Sequence, residues 1–301
     1  MEKTDFYKEE VRSGYRITEK TKRVWAVQLA MLDEVERICR KYGLTYFADS
    51  GTLIGCIRDE GYIPWDDDID LVMLREDYDR FLAAARAELP EYLLLQTYRT
   101  EKNYLRGHAQ IRDTRTTGCN AEDRRAGYNC GIFIDIFPLD NMPDSRAAAR
   151  LWAWAVRTVW MVLYTWYRFD YYENATRAGW LLNRIGRILS IPQERACGFY
   201  ERLCALFAGK PGKYVCSTTF IQHLEKNTWK RSWFSQAVYK PFENRKIPVP
   251  VGYDKRLKKE YGDYRKPAKA PTLHGGLLLD PDRPYDPAKA AVSEGTCLKD
   301  A

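Results

Sequence analysis

Zinc-type ligand spacing is missing from this chain of 301 residues: its 8 cysteines form no Cys-x-x-Cys, and none of its 3 histidines lies close to a cysteine. A zinc ribbon is thereby excluded, and a chain this long does not need a disulfide framework. Reduced thiols in a cytoplasm are the plain reading. Uninterrupted apolar runs of ~20 residues are also absent, so no membrane span is expected. The opening segment MEKTDFYKEEVRSGYR is charged throughout and has no apolar stretch, so no signal peptide is expected. Internal repeats and low-complexity tracts are lacking. The basic residues are spread along the chain without a recognition module, and no nucleic-acid partner is expected. A cytoplasmic location follows, with the inner face of the membrane as the second possibility.

What is present fits one large globular domain or two small ones, with 45% hydrophobic and 30% charged residues. A net charge of +7 suits phosphorylated or anionic lipid partners without demanding them. The informative stretch is YFADSGTLIGCIRDEGYIPWDDDIDLVM, Tyr46 to Met73. A small-residue turn, Ser50-Gly51-Thr52, precedes Asp66, Asp67, Asp68 and Asp70 by about a hairpin's length. A strand from Asp68 to Met73 would put Asp68 and Asp70 on one face and bury Ile69 and Leu71 on the other. Carboxylates side by side repel unless a cation sits between them, and hard oxygen donors at this density favour Mg²⁺ or Mn²⁺. A solvated acidic turn is the alternative.

A second acidic strand is predicted at Gly131–Phe137, within GIFIDIFPLD, Gly131 to Asp140. Ile132, Ile134 and Ile136 share one face; Phe133, Asp135 and Phe137 share the other. A carboxylate between two phenylalanines is costly to bury without a partner. A metal shared with Asp68 and Asp70 would supply one. Three carboxylates facing a glycine-containing turn form the arrangement used in two-metal phosphoryl transfer. The amides of the turn, opening a short helix Thr52 to Arg58, would cradle phosphate oxygens.

With these residues in view, the chain resembles the LicD family, which includes the fukutin and fukutin-related proteins. The resemblance rests on Cys39-Arg40-Lys41-Tyr42-Gly43 running into Tyr46-Phe47-Ala48-Asp49, on Gly51 to Asp70, on Gly131 to Asp140, and on Tyr261-Gly262-Asp263 to Pro267 followed by His274. It implies a nucleotidyltransferase-like, polymerase-beta-type fold. It also implies transfer of a phospho-alcohol, typically phosphocholine, from a nucleotide-activated donor to a cell-surface glycan. Asp68 and Asp70 are then the metal pair, Asp135 the third acid, Asp66 a possible extra ligand, and Gly51 and Thr52 the phosphate turn. Ser50 stands where a second glycine is common, and Cys56 where alanine is.

The element order predicts an α+β mixed sheet with flanking helices. Thr18 caps a helix running to Arg40 with Gly43 as its stop, and Val24, Val27, Met31, Val35 and Ile38 form its apolar stripe. Strands are predicted at Tyr46–Ala48, Tyr92–Leu95 and Ala109–Asp113, and helices at Asp77–Leu89 and Tyr253–Tyr261. Two more helices fall within 173–210, broken near Ile191-Pro192, and Pro241–Gly252 reads as extended strand or loop. Residues 1–17 are an arm, 18–145 the catalytic core, 146–267 a helical and extended region packed on it, and 268–301 an irregular tail. The helix from Ser145 to Phe169 is rich in aromatics, among them Trp152, Trp154, Trp160, Tyr164, Trp166 and Tyr167. Three readings stay open for it: packing between domain and partner helices, an interfacial helix with Arg150, Arg157 and Arg168 at headgroups, or a cage for a quaternary ammonium.

Arg58 is placed to reach donor phosphates or to pair with Asp59 or Glu60, and Trp65 to stack on a base or be buried. Arg112 and Arg115, near the predicted edge of the sheet, are phosphate ligands or solvated, and His274 resembles the family's C-terminal histidine. The combined reading is a phosphotransferase using two Mg²⁺ or Mn²⁺ ions, a CDP-activated donor and a glycan acceptor, free or lipid-linked, with CMP leaving. Its rivals are a nucleotidyltransferase moving NMP from an NTP to a small hydroxylated acceptor, and a non-catalytic glycan- or lipid-headgroup-binding protein. The latter would be expected to have lost one of Asp68, Asp70 and Asp135, all of which are present.

Overall fold

The computed structural model describes residues 6–168, 177–267 and 276–286. Helix α1 (Glu19–Tyr42) shows local chemistry setting boundaries. It starts where the Thr18 side chain accepts the Thr21 amide and stops at Gly43, whose φ of 61° is left-handed. Val24, Met31, Val35 and Ile38 on its apolar stripe are buried, and Val27 is half-buried. Residues 6–17, expected as a loosely docked arm, instead form a hairpin of β1 (Glu10–Arg12) and β2 (Tyr15–Ile17). Buried Ile17 and the Arg12–Glu243 ion pair (2.7 Å) hold it to the body.

A mixed sheet grows around one long strand, as the α+β reading expects. Strand β8 (Ile132–Asn141) runs parallel to β4 (Asp70–Leu74) and antiparallel to β6 (Ala109–Asp113) and β9 (Tyr214–Cys216). Outside these lie β3 (Phe47–Ala48) on β4, β5 (Leu93–Gln96) on β6, and β10 (Thr228–Lys230) on β9. Strand β8 extends past the expected Phe137 because Asp140 and Asn141 gain partners in β9. Strand β4 starts at Asp70, two residues later than expected.

Alternation along β8 separates two environments. Ile132, Ile134 and Ile136 pack with α1 and with Tyr78 and Phe81 of α3 (Arg75–Glu88). Phe137 and Leu139 pack with Phe47, Trp229 and Phe234. Helix α2 (Ser50–Arg58) leads toward β4. Strand β7 (Thr117–Cys119) and helix α4 (Ala121–Ala126) precede β8.

The region after β8 is helical, as expected. Helices α5 (Arg146–Arg168) and α7 (Gln193–Cys204) share a core of Trp152, Val156, Leu163 and Tyr200, and Trp152 Nε1 donates to the Leu203 carbonyl at 2.8 Å. Helix α6 (Arg177–Leu189) ends just before the predicted break at Ile191-Pro192. The expected extended segment is a hairpin of β11 (Ala237–Phe242) and β12 (Arg245–Pro250), followed by α8 (Tyr253–Tyr261). Within the predicted irregular tail, β13 (Leu278–Asp280) pairs with β7; residues 268–275 and 287–301 lie outside the described residues.

A buried ion pair ties the sheet to its surroundings. Arg75 Nε and Nη2 donate to the two Asp140 oxygens (2.6 and 3.0 Å), and Thr218 Oγ1 donates to Asp140 Oδ2 (2.6 Å). Arg75→Met should cost about 3–5 kcal/mol in urea unfolding, because it strands a buried charge. Adding Asp140→Asn should restore a large part; no restoration would show that packing, not the orphaned charge, causes the loss.

Candidate active site

Parallel pairing of β4 with β8 sets Asp70 directly opposite Asp135. The Asp135 amide donates to the Ile69 carbonyl (2.8 Å), so the pairing continues one residue before β4 and brings Asp68 to the same place. Carboxylate oxygens of Asp68, Asp70 and Asp135 all lie within 4.8 Å of one another. Asp68 and Asp135 are 6% and 3% exposed, and Asp70 is half-buried. Burial pushes the Asp70 carboxyl well above its usual range, and the charges of Asp68 and Asp135 push it further, with smaller effects from Asp49 and Asp66. The three sequence-predicted acids therefore meet in a cluster with the hard-oxygen donor chemistry of a divalent-cation site.

The surrounding loop is pinned by residues that have no part in the acidic pattern. From α1, Trp25 Nε1 donates to the Asp66 carbonyl (3.3 Å) and Gln28 Nε2 to the Asp67 carbonyl (2.7 Å). These bonds explain the late start of β4: the backbone before Asp70 is held by a helix as well as by the sheet. Asp66 belongs to a second group with Asp67 and Asp68.

Ser50, Gly51 and Thr52 do not form a separate turn; they are the first residues of α2. Ser50 has a left-handed φ of 44°, which accounts for glycine suiting that position. Gly51 lies so close to the Asp66 carboxylate that an added Cβ would collide with it. Thr52 is buried, and its Oγ1 accepts the Asp70 amide (2.9 Å), joining the start of α2 to the acidic strand.

Other predicted residues lie elsewhere. Arg58 closes α2, ~12 Å along the axis from Ser50 at 1.5 Å per residue. There it donates to Asp59 from Nε and Nη2 (3.0 and 2.8 Å) and to the Tyr264 carbonyl. Trp65 is half-buried, edge-on to Tyr15 of the hairpin at 6.0 Å. Arg112 is not at a sheet edge, because β6 lies between β5 and β8. It is 0% exposed and donates to Gln96, Gln110, Asp123 and the carbonyls of Gly118 and Gly131. With its donors committed to the protein, Arg112 organises the interior and is not a phosphate ligand. Arg115 pairs with Asp113 (2.7 Å) and lies over the Tyr92 ring. His274 lies outside the described residues.

Two groups at the site escape the acidic motif. Buried His108 places Nε2 3.1 Å from Asp135 Oδ1 and its ring centroid 4.3 Å from that of Phe137. The available signal was the polar alternation His108, Gln110, Arg112 between Ala109 and Ile111, which marks a polar face on β6. Arg256 of α8 forms a buried ion pair with Asp49, donates to Glu260 Oε1 (2.8 Å), and stacks over Trp229 at 4.2 Å. The Asp49 amide in turn donates to the Asp70 carbonyl (2.9 Å). No local pattern links residues so far apart in sequence.

The raised value of Asp70 has a direction that can be tested. Its protonated form is favoured in the fold, so its contribution to stability is full below the ordinary aspartate range and is lost as pH rises through the elevated value. In EDTA at pH 7.5, Asp70→Asn should raise Tm by about 2–4 °C and flatten the decline of Tm with pH. Mg²⁺ or Mn²⁺ should stabilise the wild type and not the variant. A variant less stable than wild type in EDTA would sink the repulsion argument.

Comparison with known proteins places the acidic centre within a matched family domain. The family described as LicD/FKTN/FKRP, nucleotidyltransferase domain, matches residues 43–152, which include Asp49, all three clustered acids and His108. The chain is 28% identical over 250 residues to the lipopolysaccharide cholinephosphotransferase LicD of Haemophilus influenzae, covering 80% of this chain and 89% of that protein. A shorter likeness, 39% over 67 residues, links it to an uncharacterized protein of Rickettsia typhi, covering 22% of this chain and 21% of that protein. The acidic centre lies inside the segment that matches this nucleotidyltransferase domain, and the likeness to the Haemophilus protein reaches well beyond it, so the chain is similar to the LicD family.

Proposed function

We propose that this protein is a Mg²⁺- or Mn²⁺-dependent phosphotransferase that moves phosphocholine, or a related phospho-alcohol, from a CDP-activated donor to a hydroxyl of a cell-surface glycan precursor. The observation that carries this reading is the convergence of Asp68, Asp70 and Asp135 beside the start of α2. Asp68, Asp70 and Asp135, with Asp66 next to them, would hold the ions, two by the number of carboxylates. Bound there, the ions supply charge neutralisation at the donor phosphates and lower the pKa of the attacking hydroxyl.

The chain's own groups do the positioning. The first amides of α2 face donor phosphate oxygens, and Arg256 keeps Asp49 in place beneath that turn. The acceptor hydroxyl oxygen bonds to the phosphorus carrying the alcohol as the bond from that phosphorus to the CMP oxygen breaks. The hydroxyl proton passes to Asp135, which His108 orients, and CMP departs with the bond's electron pair. Preorganised charge and alignment provide most of the rate.

Incubation with CDP-choline, CDP-glycerol and CDP-ribitol should release CMP from one of the three, with water as a slow acceptor. Asp70→Asn and EDTA should each reduce release by about a hundredfold or more. Pyrophosphate from an NTP with no CMP from any donor would instead support the nucleotidyltransferase. Donor binding without either product would support a non-catalytic binding protein.

A lipid-linked acceptor would require the enzyme to meet a membrane surface. No helix among the described residues is long and apolar enough to cross one. Helices α5 and α6 nevertheless expose Leu151, Trp154 (65%), Met161, Leu181, Ile185 and Ile188 (79%). Their sequences contain arginines and no acidic residue, and Arg150, Arg157 and Arg184 are exposed. Exposed apolar side chains among cations match an anionic lipid interface. The protein should co-sediment with phosphatidylglycerol-containing vesicles and not with pure phosphatidylcholine, and Trp154→Asp/Ile188→Asp should abolish this. A dimer by light scattering that the double variant dissociates, without vesicle binding, would make this face a contact between copies.

A further inference from the structure

His108 belongs to two places at once. Its Nε2 contacts Asp135, and its ring lines a cavity of about 440 Å³ between α3 and the helices α5 and α7. That volume is within the ordinary range for small-molecule sites. Resting on the transferase reading above, we infer that this cavity is the acceptor subsite and that it takes a saccharide bearing an anionic group.

The position follows from the strands. Asp135 is in register with Asp70 of β4 along one edge of β8 and with Gln110 of β6 along the other. The start of α2 is joined to the β4 side through Thr52, whereas His108 immediately precedes β6. In-line displacement needs the attacking and leaving oxygens on opposite sides of phosphorus. A donor seated at α2 leaves the His108 side for the acceptor.

The ligand class follows from the walls. The Trp160 ring centroid lies 5.1 Å from that of Tyr200 and 5.8 Å from that of Tyr164, with tilts of 42° and 33°. Rings packed against one another make a platform, which suits the C–H face of a sugar ring. A quaternary ammonium is held best by rings free of competing cations. Here Arg75, Arg86, Arg99, Arg106 and Arg202 line the cavity against only Asp79 and Glu201. Both acids are already paired, Asp79 with Arg75 (3.3 Å) and Glu201 with Arg99 (3.1 Å). Arg75 and Arg106 are also paired behind the wall, with Asp140 (2.6 Å) and Asp123 (2.8 Å). The excess positive charge therefore rests on the exposed Arg86 and Arg202, and it argues against the choline cage left open by the sequence. Arg106 adds a specific donor: its Nε is buried and meets no acceptor among the described residues.

Saturation-transfer NMR on the full chain tests this with glucose 6-phosphate, glucose, choline chloride and inorganic phosphate as probes. Glucose 6-phosphate should give the strongest transfer, glucose a weaker one, and choline none that responds to cavity variants. Ala83→Trp, at an exposed position of α3 lining the cavity, should remove the sugar signal at small cost to the fold. Arg202→Glu should weaken glucose 6-phosphate several-fold more than glucose. Asp70→Asn should leave sugar binding intact, separating this site from the acidic centre. Sugar signals absent, or indifferent to Ala83→Trp, would overturn the proposal, as would choline binding that Ala83→Trp abolishes. Full competition by inorganic phosphate alone would reduce the site to an anion hole and also overturn it. CMP release measured on the same samples reports on the transferase reading separately, since sugar binding needs no turnover.

Discussion

Mutual repulsion among Asp68, Asp70 and Asp135 is the interaction around which the rest of the protein is arranged. Three carboxylates brought within 4.8 Å in a largely buried site oppose folding, and Asp70 favours its protonated form first because it is buried and then because of the neighbouring charges. The fold holds them there by making every neighbouring segment take part. The parallel pairing of β4 with β8 sets the spacing, and α1 grips the carbonyls of Asp66 and Asp67. Thr52 receives the Asp70 amide, and Asp49 is locked by Arg256. Such preorganisation is what an electrostatic site requires, since groups already aligned need not rearrange during reaction.

Strand β8 lets one protein carry both this repulsion and a stable core. Its isoleucine face is sealed against α1 and α3, while its other face carries Asp135 between phenylalanines. Apolar burial on the first face offsets the cost of charge on the second. The buried Arg75–Asp140 pair then fixes the far end of the same strand to α3. The strand thus links the core, the acidic centre and the helical cap that walls the cavity.

The division of labour along the chain is uneven. Residues 43–152 hold the acids and His108, yet Arg256, which braces Asp49, comes from α8, and Tyr200 of the cavity wall comes from α7. Elements outside the matched domain therefore brace the acidic centre and wall the cavity beside it. The aromatic helix α5 serves two surfaces: Trp152 and Trp160 face inward, and Trp154 faces outward. Of the three readings of this helix, packing against neighbouring helices is seen on its inward face.

Much of this was legible beforehand, because it depends on short-range periodicity. The cap at Thr18, the stop at Gly43, the isoleucine alternation in β8 and the acids meeting across two strands all follow from spacings of a few residues. Arg112 was misread because an arginine on a strand gives no sign of whether that strand is central; only the pairing of β6 with both β5 and β8 shows it. His108 and Arg256 were missed because their importance is a contact across the fold, with Asp135 and Asp49, and not a local pattern. The sequence by itself determined the acidic cluster, since carboxylates alternating into an apolar strand pattern place their oxygens on one face. Tertiary structure decided which cations and rings attend it: strand order and helix docking bring distant residues together, and neither is written in local spacing.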